Sequence, residues 1–445
     1  MSLDRVLSLM EGTVKHIYII HTSTWTKESQ LKTPSEANDF ALTVKTASKE
    51  NAFATIILQK ESTPEYSPPN GFILIDTSGT FDKINLKLAQ SSSNVAFLST
   101  TANGILILKD MNVEVITPHE QYQNFDFQSF VVVPDGHVLI EKLSFEENTN
   151  FEQTSPIWLS GGSLIDESVN EVTMNVMYEG DRGWIGVEGN TDTSTYPDLK
   201  LKKWIFGGSP TAKRSHGLWL KNVGTVELTD CSFSSFKKGS EYAVVDGSAI
   251  HAELCSSSSL RITSSTLESS SSQGNGGSVS VVVAGGELEI SSSKFVSCSS
   301  EQNGGALFVD LSSLGAGSYK LTSLSFTSSC TCSGDGKWVF LRGHDLASLV
   351  TKERWAGTFK SLSIHTDLDK LWGLNLAEDQ SSPLRSISLL PFLLGKASRI
   401  PDSTIFVGQS GKDEFGCGNT AETRCGTVEW SMKEASGRVM DIIIA

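Results

Sequence analysis

The side chains able to do chemistry are few in this 445-residue chain, and their spacing groups them poorly. His365, Asp367 and Asp369 alternate along one short segment, which puts all three on one strand face while Ile364 and Leu368 point inward. Such a trio can ligate a metal. An isolated H-x-D-x-D string with no second element reads instead as a solvated strand edge, so no metal site is assigned. The remaining histidines show no His-x-x-x-His spacing and there is no zinc motif. Of seven cysteines, Cys417 and Cys425 could close a loop as a disulfide in an oxidising compartment or stay as thiols. Cys330-x-Cys332 is too tight for easy bridging, and Cys231 and Cys298 read as buried free thiols near corners. The loop Gln273-Gly274-Asn275-Gly276-Gly277 is not followed by Lys-Ser/Thr or by a helix, so it is a corner and not a phosphate cradle. No catalytic, cofactor-binding or metal residues are assigned, and no cofactor is expected.

The elements that must position these groups follow from a repeat. Two apolar residues two apart are followed by a third five further on: Leu106/Leu108/Val113, Val138/Ile140/Phe145, Leu199/Leu201/Phe206, Val226/Leu228/Phe233, Leu260/Ile262/Leu267, Leu288/Ile290/Phe295 and Tyr319/Leu321/Phe326. The first anchors are 32, 61, 27, 34, 28 and 31 residues apart, so the 61 hides one degenerate copy. Alternation with period two is what a strand with one buried face requires. Polar stretches such as Thr263-Ser264-Ser265-Thr266 then turn the chain. A second strand in each repeat opens on glycine at Gly247, Gly276, Gly304 and Gly336, as a corner with positive φ or close passage of a neighbouring coil demands. The Ser runs 256–259 and 269–272 read as corner loops of variable length.

Leucine-rich and helical repeats of similar period are excluded by residue type, because these repeats are built of Ser, Gly, Val and Thr. The fold expected is all-β, a right-handed parallel β-helix. Stacking coils at about 4.8 Å satisfies the backbone and makes one continuous apolar interior. Residues 1–103 form irregular opening coils, with strands at 16–20, 53–58, 71–75, 83–88 and 95–98 and an excursion at Pro64, Pro68 and Pro69. Residues 104–345 are the regular repeats, and 346–402 supply the last coils and a cap, with Trp355 and Trp372. Residues 403–445 read as the entry to a second β-helix: a strand at Ile405-Phe406-Val407, a helix over 427–435 and a strand from Met440. The chain stops inside that strand, as expected if a further domain is missing or the chain is a partial product.

Composition narrows the partners. Thirty-six basic and fifty-one acidic residues give a net charge of −15, which repels a phosphate backbone, so nucleic acid is excluded. No window reaches the roughly 18 apolar residues that span a bilayer, and the longest candidate, 387–394, contains Pro391. Met1-Ser2-Leu3-Asp4-Arg5 is not followed by an apolar stretch with a cleavage site, so no secretory signal is expected, and no Asn-x-Ser/Thr sequon occurs.

Asn303-Gly304-Gly305-Ala306-Leu307 and Asn275-Gly276-Gly277-Ser278-Val279 resemble the GGA-[ILV] motif of polymorphic outer-membrane-protein repeats. The F-x-x-N partner motif is altered, since Phe295 leads to Cys298 and Phe233 to Phe236. Cys after Phe, a Ser-rich stretch and Asn-Gly-Gly-Ala are similar to the large β-helix surface proteins of anaerobic flagellate protists. Gly408, Gly411, Asp413, Gly416-Cys417-Gly418 and Cys425-Gly426-Thr427-Val428 resemble the entry of a pectin-lyase-like β-helix, with Arg424 where that family has proline. The resemblance is good over 226–341, moderate over 403–432 and slight over the first hundred residues. It implies a cell-surface or secreted location.

Resemblance to polygalacturonases would require N-T-D, D-D, G-H-G and R-I-K motifs. Asn190-Thr191-Asp192, Ser215-His216-Gly217 and Arg261-Ile262-Thr263 occur in that order, but the chain has no Asp-Asp pair. Glycoside hydrolysis needs two carboxylates across the bond, and Asp192 lacks an evident partner. An enzyme would set two or more carboxylates with an Arg or Lys in one outward groove. The expectation is therefore a non-enzymatic surface-type β-helix presenting a polar Ser/Thr/Asn face to carbohydrate or to another surface protein. The alternatives are a polysaccharide lyase or glycoside hydrolase, and a structural stalk with a uniformly polar surface.

Overall fold

A computed structural model describes 98–116, 129–145, 155–166, 172–175, 183–208, 216–238, 246–358 and 369–376, apart from a few positions inside these ranges, with short strand segments between 14 and 89 and between 386 and 444. The chain winds as a parallel β-solenoid. A representative coil runs through Ile250–Leu254, Ser259–Thr263, Thr266–Glu268 and Ser271–Ser272, then turns into Val279–Val283 one coil on. Its Ser259–Thr263 strand belongs to a 14-stranded first sheet and Ile250–Leu254 to a 13-stranded second sheet. The two short strands join a six-stranded third and a four-stranded fourth sheet.

Register explains the repeat. Val226, Leu260, Leu288 and Tyr319 stack in one column of the first sheet, and Leu228, Ile262, Ile290 and Leu321 in the next. The third anchors Phe206, Phe233, Leu267, Phe295 and Phe326 stack in the third sheet, with Phe206 over Phe233 at 4.6 Å and Phe295 over Phe326 at 5.0 Å between ring centroids. Offset stacks of this kind add about 0.5–1.5 kcal/mol to the area they bury. The 61-residue interval is filled by Ser163–Asp166, where Leu164 pairs with Val138 and Leu199. The copy escapes the pattern because fully buried Asp166 stands where the adjoining coil has Leu201; its carboxylate accepts a 2.5 Å hydrogen bond from Trp204 Nε1.

The corners are built as the glycines imply. Gly247, Gly276, Gly304 and Gly336 all have positive φ, from 62° to 72°. Each is hemmed in by the backbone carbonyl oxygen three residues on, 2.2–2.4 Å from where a Cβ would lie, so a side chain has neither the conformation nor the space. The Ser run at 256–258 is a turn before the strand Ser259–Thr263, whereas the run 269–272 differs from the loop expected of it. Ser271–Ser272 is a strand of the fourth sheet, paired with Ser299–Ser300, and Ser270 and Ser272 are buried. Ser264, Ser269, Ser292, Ser297 and Ser323 take left-handed φ of 51–54°, a conformation that short polar residues tolerate better than bulky ones.

Before 98, strands Val14–Ile19, Ala41–Thr46 and Ser78–Ala89 join the first sheet in parallel, and Leu31–Lys32 and Ile73–Ile75 the second. Strand 83–88 is the second half of Ser78–Ala89, which turns at Lys83 with φ of 56°, and 95–98 shifts to Leu98–Thr100. After Val339–Gly343 come a short helix, Leu346–Leu349, the strand Leu371–Asn375 and an antiparallel partner, Ser386–Ser388. Thr404–Val407 pairs in parallel with Asp441–Ile444. Pro64, Pro68, Pro69, Cys417, Cys425 and the helix over 427–435 lie outside the described residues.

Candidate functional site

The outward positions of the first sheet make a ladder of alternating charge. Strand register places Lys200, Glu227, Arg261, Glu289 and Lys320 in one column. Lys200 Nζ lies 3.7 Å from Glu227, Arg261 lies 3.9 Å from Glu227 and 3.2 Å from Glu289, and Lys320 Nζ lies 3.7 Å from Glu289. Every rung is a third to a half exposed, so each pair is worth at most about 1 kcal/mol.

At its C-terminal end the ladder becomes the floor of a groove, because residues 353–358 fold back beside the strand Ser318–Thr322. Leu321 N–H donates to the Arg354 carbonyl at 2.6 Å, and Ser323 N–H to that of Ala356 at 2.8 Å. The Arg354 guanidinium lies 5.3 Å from the centre of the Tyr319 ring and donates to the Leu349 carbonyl at 3.1 Å. Tyr319 is itself fixed: its hydroxyl donates to the Leu349 carbonyl at 2.9 Å and accepts from Trp355 Nε1 at 3.0 Å, and burial pushes its pKa up to about 12. Glu287, Glu289 and Glu353 then share the groove with Arg261, Lys320 and Arg354, and with the hydroxyls of Ser259 and Ser318. The wall offers donors and acceptors in equal measure and no net charge.

This is the composition an enzyme of either expected class would need, found on the first sheet and not around Asp192. Glu289 is clamped between two cations, and Glu227 likewise, whereas a hydrolase keeps one carboxyl as an acid and a second free to act as base or nucleophile.

The three strings Asn190-Thr191-Asp192, Ser215-His216-Gly217 and Arg261-Ile262-Thr263 are not assembled into one site. Asn190 Oδ1 accepts the Asp192 N–H at 2.9 Å, closing a turn whose Asp192 is exposed. A separate groove there is lined by Glu188, Asn190, Thr191 and Lys221, with Glu188 and Lys221 3.5 Å apart, and includes neither His216 nor Arg261. His216 is fully buried at the corner before Leu218–Lys221. Of the His365, Asp367 and Asp369 trio, only Asp369 is described; it sits in a turn before Leu371–Asn375, paired with Lys337 at 2.5 Å. Among the described residues no cluster of three or more His, Cys, Asp or Glu is placed to hold a metal.

Cys231, Cys298 and Cys330 are buried thiols, as expected for the first two. Burial pushes Cys231 up to about 11, and its contact with Cys330, reinforced by burial, holds Cys298 well above the usual thiol range. Cys231 and Cys298, held neutral in this way, are packing groups and not nucleophiles, whereas the contact with Cys298 pulls the Cys330 thiol down to about 6.

Much of the Ser and Asn content is occupied inside the corners. Asp246 Oδ1 accepts the Asn275 N–H at 2.6 Å, Asn275 Oδ1 the Asn303 N–H at 3.2 Å, and Asn303 Oδ1 the Asp335 N–H at 3.0 Å. A serine column does the same at the corner before the third sheet. Ser265 Oγ accepts the Cys231 N–H at 3.1 Å and donates to the Thr263 carbonyl, and Ser293 Oγ repeats this for Ser265 and Ser291. The recurring Asn-Gly-Gly was the available signal for the first ladder; the second had only the Ser-Ser pairs.

No family model matches the chain, and no curated protein or solved structure gives a significant match. Among the described residues no helix is long and apolar enough to cross a membrane.

Proposed function

We propose that this chain is a non-enzymatic, carbohydrate-binding β-solenoid that grips a neutral polysaccharide in the groove over the first sheet. The surface location implied by the resemblance of its Asn-Gly-Gly motifs to β-helix surface proteins belongs to the same reading. The observation that carries it is the groove wall: three carboxylates, three cations and two hydroxyls, balanced in charge, all but Glu353 and Arg354 spaced by the strand register. Sugar hydroxyls both donate and accept, so a wall of paired donors and acceptors suits them, and ordered water readily bridges the rest. The net charge of −15 disfavours polyanions at long range.

One observation favours a second reading, a glycoside hydrolase or lyase: Glu287 lies outside the charge ladder yet shares the groove with Glu353 and Arg354. The two readings part in one experiment. The purified chain is incubated with polygalacturonate, a neutral β-glucan and a mannan, scoring retention and new reducing ends together. Retention on a neutral polymer without reducing ends is expected. New reducing ends overturn the non-enzymatic reading, and absence of both signals overturns carbohydrate binding.

A further inference from the structure

The corner between the third and fourth sheets is filled on successive coils by Phe236, Ser270, Cys298 and Cys330, all fully buried. Backbone hydrogen bonds hold this column in step. Ser271 N–H donates to the Phe236 carbonyl at 2.8 Å, Ser299 N–H to that of Ser270 at 2.9 Å, and Thr331 N–H to that of Cys298 at 2.9 Å. In the fourth sheet Ser299 then pairs with Thr331, so Cys298 and Cys330 are the same position one coil apart. At the corresponding positions Cys231 is followed by Ser265, and Cys332 is preceded by Ser300.

Stacked coils lie about 4.8 Å apart, inside the roughly 4.4–6.8 Å that separates the Cα atoms of a disulfide. Both side chains enter the interior from one corner. Cys298 Sγ lies 3.6 Å from the Leu267 carbonyl oxygen, and Cys330 Sγ lies 3.8 Å from that of Phe295, one coil on. The thiols are near enough to act on each other, Cys298 being held protonated while Cys330 is pulled down to about 6. Both are free cysteines. Ser329 and Thr331 on either side of Cys330 are exposed, so its sulfur lies one residue beneath the surface.

We propose that Cys298 and Cys330 are a modification site, a dithiol that closes reversibly into a disulfide between adjacent coils when hydrogen peroxide reaches it. The Cys330 sulfur attacks one peroxide oxygen; the S–O bond forms, the O–O bond breaks, and hydroxide leaves to take up the Cys330 proton as water. This removes the thiolate that kept Cys298 a packing group. The Cys298 sulfur then attacks the Cys330 sulfenic acid; the S–S bond forms, the S–O bond breaks, and hydroxide leaves with the Cys298 proton as a second water. Two thiols are oxidised and one peroxide is reduced. The link ties the coil that carries Glu287 and Glu289 to the coil that carries Ser318, Tyr319 and Lys320, so it fastens the groove floor whatever the groove binds.

The test treats the reduced full chain with hydrogen peroxide, alkylates the remaining thiols in denaturant, and maps the cysteines by peptide fragmentation. A Cys298–Cys330 link, two hydrogens lighter than the paired thiols and lost on dithiothreitol, is expected. Peroxide should raise the melting temperature of the wild type and leave that of Cys298→Ser unchanged, because a closed loop restrains the unfolded chain. In Cys298→Ser, dimedone should label Cys330, which has lost its resolving partner. Serine already fills this position at Ser270, so the fold accommodates the variant. Recovery of both cysteines as thiols, or of Cys330 as sulfinic acid or bridged to Cys332, would overturn the proposal, and the wild-type map alone decides this.

Discussion

The outward faces of the first and second sheets arise from the same coils by the same alternation, yet they meet solvent to different extents, Trp158, Trp219, His251 and Trp372 of the second being half-buried. On the first, Lys200, Arg261 and Lys320 are about half exposed. On the second, register stacks Trp158, Gly186, Trp219, His251, Ser280, Phe308, Phe340 and Trp372, and Phe308 and Phe340 are only 6% and 3% exposed. The contrast teaches that pointing outward from a coil is not the same as meeting solvent.

The largest expected effect separates the two faces by stability. Phe340→Ala should cost about 3–5 kcal/mol in urea unfolding, as for a core phenylalanine, and Lys320→Ala within about 1 kcal/mol. Comparable losses would erase the distinction. Next comes Gly186→Ala. A Cβ there would lie 2.4–2.5 Å from Trp158 ring atoms, and the missing side chain is what lets Trp158 stack on Trp219 at 6.1 Å. A loss of about 1–3 kcal/mol with a changed near-ultraviolet tryptophan signal is expected, and a wild-type signal would show that the stack does not depend on this glycine.

How much of this was legible beforehand depended on what each residue answers to. Leu260 and Ile262, or Leu288 and Ile290, answer to the strand period, so the solenoid and its glycine corners could be read directly. The copy at Leu164 could not, because Asp166 satisfies its burial through Trp204, a partner 38 residues away. The serines misled for the opposite reason: Ser265, Ser270 and Ser293 look like surface and are buried, each bonded to a backbone carbonyl two residues back. The groove was also hidden. Arg261 and Glu289 lie 28 positions apart, and Arg354 is brought beside them by a fold-back that has no periodic signature.

A smaller effect tests the second face by pH. Contact with His251 lowers the Glu253 pKa, so its contribution is present above the unfolded glutamate value of about 4.3 and is lost as pH falls through the lower folded value. Wild type and Glu253→Gln should therefore differ slightly near neutrality and converge in acid, as followed by urea midpoints across pH. A constant gap would mean that the Glu253 charge is not what the variant removes. The smallest stability effect belongs to Glu289→Gln, which leaves one acceptor between Arg261 and Lys320 and should shift the urea midpoint by less than about 1 kcal/mol.

The central claim is that the charged face binds and does not cleave, and one comparison tests it most directly: retention and reducing-end release by the wild type and by Arg261→Ala/Arg354→Ala on the same neutral polysaccharides. The account predicts retention by the wild type, a loss of at least about tenfold in affinity in the variant, as one charge-assisted hydrogen bond removed would give, and no reducing ends from either. Equal retention by both proteins, or reducing ends from the wild type, would contradict it.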